Sequence, residues 1–458
     1  MHREAADSGA VVDFYELTMA QSYLAEGLAA AAASFEVSCR QLPPGWGYLL
    51  VAGIDELLES LAAFRFDGAT LEFLRRQGPF APEFLEALAA FRFAGEVRAM
   101  REGTPLYAGE PFVEVTGTLF EAQLVETLVL NSVGFATLSA SKAARCVEAA
   151  QGRSLLEFGL RRTQGADSGL RVARGSYLAG FDATSNLAAG ERFGIPLAGT
   201  MAHSYIEAFT SEAAAFAAFS RLYPNGTTLL LDTYDTLEGA RLAAETALRL
   251  RAAGGRLEAV RLDSGDLAAL SRAVRVLLDQ AGLPELGIVA SGNLDEYAIA
   301  ALVADGAPIN GFGVGTRLAV CVDAPALDVA YKLVSLDGRP VMKLSHGKET
   351  LPGSKQVWRR TGEAWAGGDL VALRDEPPPE AAEPLLARVM SGGRRGASEP
   401  LGELRGRVEA ARALIPAALR GLQAQSTPAR ISDGLEALRD RVSGELRSQR
   451  SDAPARAG

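Results

Sequence analysis

Residues 227–236, TTLLLDTYDT, and residues 257–266, LEAVRLDSGD, share one pattern: an apolar run stops at an aspartate and a polar cluster follows. Four more apolar runs between 154 and 316 also give way to polar clusters, without an aspartate at the joint. SLLE (154–157) gives way to Phe158-Gly159-Leu160-Arg161-Arg162, and IPLA (195–198) to Gly199-Thr200-Met201-Ala202-His203-Ser204. LGIVA (286–290) runs into Ser291-Gly292-Asn293, and the residues around Ile309 into Phe312-Gly313-Val314-Gly315-Thr316. Short buried strands alternating with helices, each strand ending in polar residues, are how an α/β barrel gathers an active site at one mouth. The chain therefore reads as an enzyme.

Working outward, 458 residues exceed what one compact core usually holds, so two domains are expected. Before the barrel, helix signals from Tyr15 to Glu26 and in GIDELLESLAAF (53–64) mix with extended SFEVSC (34–39), GEVRAM (95–100) and FVEVTG (112–117). The Ala-rich stretch GLAAAAASF (27–35) carries helix propensity. Residues 120–150 are apolar at helical spacing and read as one or two buried helices entering the barrel. After it, YKLVSL and RPVMKLS flank Asp337-Gly338, a hairpin dipeptide, and this strand pair is expected to rejoin the first domain. Beyond Gly367 the Pro-, Glu- and Arg-rich sequence reads as surface loops, followed by helices over 402–422 and 433–450. The expected divisions are 1–125, 126–328, 329–440, and an unstructured tail over 441–458.

Lys and Arg number 46 against 56 Asp and Glu, and this net charge of −10 argues against a general nucleic-acid binder. No run approaches the ~18 apolar residues of a membrane span, and no secretory signal is recognised. Cys39, Cys146 and Cys321 lie far apart without CxxC spacing, which fits a reducing cytoplasm and no structural zinc. Anionic small molecules remain compatible, since Arg161, Arg162, Arg171, Arg174, Arg261 and Arg317 all lie at or near the polar clusters.

His203 is one of three histidines, the others being His2 and His346, and it follows a strand signal at the start of a helix. An imidazole there is a base, a metal ligand, a phosphoryl acceptor, or a helix-start residue bonded to backbone. Asp232, Asp235, Asp263 and Asp266 follow successive strands and point into one mouth. They suit Mg²⁺ or sugar hydroxyls, or helix capping, with Asp235 and Asp266 favoured as caps. The glycines at 313 and 315 let backbone N–H groups approach an anion after the last strand, where barrels commonly bind phosphate. No GxGxxG opens a helix, which sets a dinucleotide fold aside.

With Asp13-Phe14-Tyr15-Glu16-Leu17-Thr18-Met19, Gly180-Phe181-Asp182-Ala183-Thr184-Ser185-Asn186 and Lys348-Glu349-Thr350-Leu351-Pro352-Gly353-Ser354-Lys355 added to these clusters, residues 10 to 360 resemble the nicotinate phosphoribosyltransferase family. The resemblance implies an irregular α/β barrel beside an α/β sandwich built from both ends of the chain, working as a homodimer with shared sites. It implies formation of nicotinate mononucleotide and pyrophosphate from nicotinate and phosphoribosyl pyrophosphate, with Mg²⁺ and coupled ATP hydrolysis, at the entry to NAD salvage. Matched by position, His203 is the histidine that ATP phosphorylates, and Phe158 with the partner's Tyr15 sandwiches the pyridine ring. Arg161 and Arg261 line the phosphate and pyridine pockets, Asp232 and Asp263 lie near ribose and metal, and Gly292, Gly313 and Gly315 receive the 5-phosphate. Metal ligands are not assigned further.

Ser185 stands where nicotinamide-using relatives carry an aspartate, and a hydroxyl donor suits a carboxylate, so nicotinate is favoured. Asn293 departs from an aspartate common in the family and removes a charge from its loop. Rival readings are a nicotinamide phosphoribosyltransferase, a quinolinate phosphoribosyltransferase, which needs no ATP, and an inactive ligand-sensing barrel.

Overall fold

The computed structural model describes residues 9–345, 349–360, 368–425 and 427–451. His2, His346, Lys348 and the last residues from 452 lie outside them. Contacts divide the chain into Ser139–Pro325 and a second unit made of Met1–Leu138 with Ala326–Gly458. The division falls inside the helix Glu126–Ala150, whose sequence carries no proline or turn cluster at that point to mark it.

In the middle unit the strands are β1 (Ser154–Glu157), β2 (Ala183–Thr184), β3 (Asn225–Leu230), β4 (Arg256–Leu262), β5 (Gly287–Ala290) and β6 (Gly311–Val314). They form one parallel sheet in the order β2-β1-β6-β5-β4-β3. Leu229, Leu230, Val260, Leu262, Ile288, Phe312 and Val314 are buried along it. Burial still alternates along Arg256–Leu262 and Gly287–Ala290, while the buried residues near the C-terminal ends, Leu229, Leu230, Leu262 and Ala290, supply the apolar runs. The helices Thr236–Ala252, Leu267–Gln280 and Glu296–Ala304 begin at Asp235, Asp266 and Asp295, whose side chains accept from the amides of Glu238, Ala269 and Ala298. The caps expected at Asp235 and Asp266 are present.

One expected strand is corrected. IPLA makes only a single bridge, Leu197 to Thr184, and the sheet position belongs to Ala183–Thr184. Pro196 cannot donate to a ladder, so the run cannot extend its pairing. Thr184 N–H donates to Pro196 O at 3.0 Å, Ala198 N–H to Thr184 O at 2.9 Å, and the Thr200 hydroxyl to Thr228 O on β3. This segment thus spans from one edge strand to the other, and the barrel wall is incomplete there.

The other unit holds a seven-stranded antiparallel sheet, in the order Arg339–Pro340, Val329–Leu336, Ala32–Cys39, Pro111–Thr118, Glu96–Ala99, Ala387–Ser391, Arg394–Arg395. Strands from the start of the chain are flanked by strands from its end. Asp337 (φ 48°) and Gly338 (φ 73°) make the expected hairpin turn, and Pro340 keeps its second arm to two residues. Ala32–Phe35 is strand and not helix, because pairing on both sides outweighs alanine's weak preference. The loops expected beyond Gly367 contain strands at Leu370–Leu373, Ala382–Pro384, Ala387–Ser391 and Arg394–Arg395. Ala387–Ser391 pairs with Glu96–Ala99 from far upstream and Leu370–Leu373 with Lys355–Arg360 and Arg430–Ile431, and Met390 and Val371 are buried in those sheets. The last helix, Asp433–Ser451, runs into the stretch expected to be unstructured; buried Leu435 and Val442 anchor it, and an Arg441–Glu445 pair adds support. Among the described residues no helix is long and apolar enough to cross a membrane.

Candidate active site

Strand ends β3, β4 and β5 deliver the polar core of the site. Asp263, just past β4, accepts from Arg261 Nη2 at 2.6 Å and from the Ser291 hydroxyl at 2.5 Å, both on Oδ1. Its Oδ2 stands 3.9 Å from His203 Nε2. Burial would push the Asp263 carboxyl up, but the Ser291 hydroxyl and the Arg261 guanidinium outweigh it and hold the group below its ordinary value. Asp263 is therefore a fixed anion at neutral pH. Asp232, past β3, accepts from the Asp263 amide at 3.1 Å and from the Ser264 hydroxyl, both on Oδ2. Its Oδ1 is buried without a hydrogen-bond partner.

His203 begins the one-turn helix His203–Glu207, and its Nδ1 lies 3.1 Å from the Thr233 hydroxyl. When Nδ1 carries the proton and donates to Thr233, Nε2 presents a lone pair toward the mouth. The imidazole is thus a nucleophile or base oriented from one side and flanked by an anion on the other.

Arg261 also donates to Ser291 Oγ at 2.7 Å, and its guanidinium lies 5.9 Å from the centre of the Phe158 ring. The glycines are steric requirements. Gly292 has φ 95°, and a methyl there would overlap the Asp263 carbonyl oxygen. A Cβ on Gly313 would sit 2.6 Å from the Phe158 ring. Gly315 likewise faces the Phe158 carbonyl, with a Cβ falling 3.2 Å from its oxygen.

Ser185 is exposed at the end of β2, and its amide donates to Glu157 O at 2.9 Å. Glu157 was not singled out in the sequence. Its buried carboxylate takes the Thr184 hydroxyl at 2.5 Å and the Gly159 amide, tying the ends of β1 and β2 together beneath Phe158 and Ser185. The only sequence signal was an acid closing an apolar run. Burial raises its pKa, against those two hydrogen bonds.

The structure thus brings together His203, Asp232, Asp263, Arg261, Gly292, Phe158 and Gly313 through direct contacts. It does not join Ser185 or Arg161 to that cluster, and Arg161 lies exposed in the turn Leu160–Arg162. Tyr15 belongs to the other unit, 45% exposed on the helix Phe14–Ala25. That unit also has clefts of about 520 and 650 Å³, lined in part by Arg40, Lys332 and Lys343, cations the sequence reading passed over. Thr233 and Ser291 were likewise quoted but given no role. Glu212, buried at the start of the helix Glu212–Leu222, is pushed up to about 7 by burial and by Glu238, Asp235 and Asp232.

The model of the nicotinate phosphoribosyltransferase N-terminal domain matches residues 11–134, and that of the nicotinate phosphoribosyltransferase family matches residues 153–357. A nicotinate phosphoribosyltransferase of Mycobacterium tuberculosis, pncB2, is 51% identical over 84% of this chain and 82% of its own. The human nicotinate phosphoribosyltransferase is 35% identical over 83% and 82%. The crystal structure of human nicotinic acid phosphoribosyltransferase superposes with a TM-score of 0.84 at 32% identity, covering 94% of this chain and 99% of that one. A nicotinate-nucleotide pyrophosphorylase from Pyrococcus furiosus gives 0.74 at 25% identity, over 89% and 95%. Two family models covering most of the chain, and relatives of this identity along nearly its whole length, establish that the chain belongs to the nicotinate phosphoribosyltransferase family.

Proposed function

We propose that this enzyme joins nicotinate to phosphoribosyl pyrophosphate, giving nicotinate mononucleotide and pyrophosphate with coupled ATP hydrolysis, the first step of NAD salvage from nicotinic acid. The observation that carries the reading is the contact chain His203–Asp263–Arg261–Phe158 at one strand mouth, within a chain of this family. The same reading makes it a cytoplasmic homodimer.

The ring nitrogen of nicotinate donates its lone pair to C1 of the ribose while the bond from C1 to pyrophosphate breaks, its electron pair leaving with pyrophosphate. Positive charge builds on the sugar, and the fixed carboxylates of Asp263 and Asp232 stabilise it. Phe158 stacks on one ring face, held from behind by Arg261, and Ser185 donates to the substrate carboxylate. Arg161 lines the same pocket, and backbone at Gly292, Gly313 and Gly315 admits the 5-phosphate. The orphaned Asp232 Oδ1 is a hard oxygen of the kind Mg²⁺ takes, and Mg²⁺ usually binds one or two carboxylates plus substrate phosphates. Asp232 and Asp263 would hold it, and the ion would neutralise the leaving pyrophosphate. His203 Nε2 attacks the γ-phosphorus of ATP and ADP leaves; water later cleaves the N–P bond and restores the imidazole.

The test is turnover of purified protein with phosphoribosyl pyrophosphate and either nicotinate or nicotinamide, with and without ATP, followed as mononucleotide. Formation of nicotinamide mononucleotide in preference to the nicotinate product sinks the reading, and ligand binding without turnover favours a sensing barrel.

Ser185→Asp places an anion beside the substrate carboxylate. Because Ser185 is exposed, the repulsion is screened, and a loss of about tenfold in nicotinate kcat/KM is expected. Nicotinamide should lose less. Equal losses for the two substrates mean that Ser185 does not face the carboxylate.

If Tyr15 serves the partner's site, Tyr15→Ala and His203→Ala homodimers are each nearly inactive, yet a mixed dimer holds one intact site. Co-refolding should restore activity, to about a quarter of wild type with random exchange and independent sites. No recovery in demonstrated heterodimers places Tyr15 in its own subunit's site.

A further inference from the structure

We propose that Arg317 is a cation that grips the substrate's 5-phosphate and that Asp295 is the positioning residue that aims it. The proposal rests on the functional reading above and adds two residues to it.

Strands β5 and β6 are neighbours with Ala290 opposite Phe312, so the loops that leave them start side by side. A Cβ on Gly313 would stand 3.2 Å from Ser291 Cβ, which fixes how close the two loops run. The first loop ends at Asp295, and the second at Gly315, which leads into the one-turn helix Thr316–Ala319 that carries Arg317. Arg317 Nη1 donates to Asp295 Oδ2 at 2.6 Å, a bond that ties one glycine loop to the other. Asp295 divides its oxygens: Oδ2 holds Arg317, while Oδ1 accepts from the Ala298 amide at 2.8 Å and caps the helix Glu296–Ala304.

The anchor is rigid. Asp295 is 4% exposed, and its neighbour Glu296 is fully buried between Lys142 Nζ at 2.7 Å and Arg145 Nε at 2.9 Å. Asp323 also pairs with Lys142. Three acids, Asp295, Glu296 and Asp323, therefore face three cations, Lys142, Arg145 and Arg317. Lys142 and Arg145 have side chains 0% and 7% exposed, whereas that of Arg317 is 41% exposed. Among the acids Asp323 reaches solvent, and among the three cations Arg317 is the one that does. Its bond to Asp295 occupies one of five N–H donors, and the planar fork keeps the others for an anion beside Gly315. A guanidinium held in one orientation forms bidentate phosphate bonds without losing further rotamer freedom. With Asp295 as its counter-ion, the contribution of Arg317 lies in geometry more than in net charge.

Asp295→Asn separates the two jobs of the aspartate. The amide oxygen still caps Ala298, while the NH₂ meets a guanidinium that needs an acceptor. In steady-state kinetics the variant is expected to raise KM for phosphoribosyl pyrophosphate about tenfold, with kcat and the nicotinate KM within about twofold. Arg317→Ala should match or exceed this rise, Arg317→Lys should recover part of it, and the double variant should be no worse than Arg317→Ala. Calorimetric titration with ribose 5-phosphate should show weaker binding in each single variant, with thermal unfolding near wild type. An unchanged phosphoribosyl pyrophosphate KM and ribose 5-phosphate affinity in Arg317→Ala overturns the proposal, as does an equal rise in the nicotinate KM. If Asp295→Asn does not fold, the Arg317 variants decide alone. If wild type binds ribose 5-phosphate but does not turn over nicotinate, the functional reading has failed and the titrations still judge Arg317.

Discussion

His203→Ala is expected to abolish ATP hydrolysis coupled to mononucleotide formation and to remove an acid-labile, base-stable phosphate label from protein incubated with ATP. The effect is all-or-none because no second imidazole is present among the described residues, and carboxylates there do not form the same phosphoramidate. The side chain is 40% exposed, so truncating it leaves no buried gap, and stability should change by less than about 1 kcal/mol. Mononucleotide formation falls to a small residual rate that no longer responds to ATP, although Asp263, Arg261 and Phe158 keep their mutual contacts. The readout is parallel measurement of ADP and mononucleotide, with the label followed by acid and base treatment. Coupling at the wild-type ratio in the variant removes His203 from the mechanism.

Asp263→Asn is expected to lower kcat about 10²–10³-fold, the range seen when one preorganised electrostatic contact to a transition state is removed. The asparagine keeps an oxygen for Ser291 or Arg261 but loses the charge that faces the developing cation. Arg261 retains Ser291 and the Met201 carbonyl at 3.4 Å, so the ring of contacts around Phe158 survives in part. Nicotinate KM should change less than kcat, and circular dichroism should match wild type. A kcat within about threefold of wild type means that Asp263 only braces Arg261.

The parallel sheet was legible in the sequence because the C-terminal halves of its strands are buried, and they appear as apolar runs that stop at Asp232, Asp263 or Ser291. IPLA misled because hydrophobicity does not report the missing N–H of Pro196. The outer unit was harder. LVAL and ARVMS are too short to signal alone, and each is fixed by a strand outside its own stretch, ARVMS by Glu96–Ala99 and LVAL by Lys355–Arg360 and Arg430–Ile431, which a local pattern cannot contain. In the site, residue types and strand ends pointed to His203, Asp232 and Asp263. What stayed hidden was the supporting layer: Glu157 beneath Phe158, Thr233 beside His203, Ser291 across from Arg261 and Asp295 beside Arg317. Those residues matter through which neighbour they face, and facing is a property of the folded chain.

The segment 195–200 joins two edge strands by two backbone bonds and one hydroxyl, and His203 follows three residues later. Every other joint in the wall is a ladder whose bonds must shear together. This one is a seam. That joint lies directly before His203, so the segment carrying the imidazole is held to the sheet by fewer bonds than the strands that lead to Asp232 and Asp263. Extending IPLA into a full ladder would close that seam with backbone bonds along its length, and Pro196, which has no N–H to give, is the residue that keeps it open.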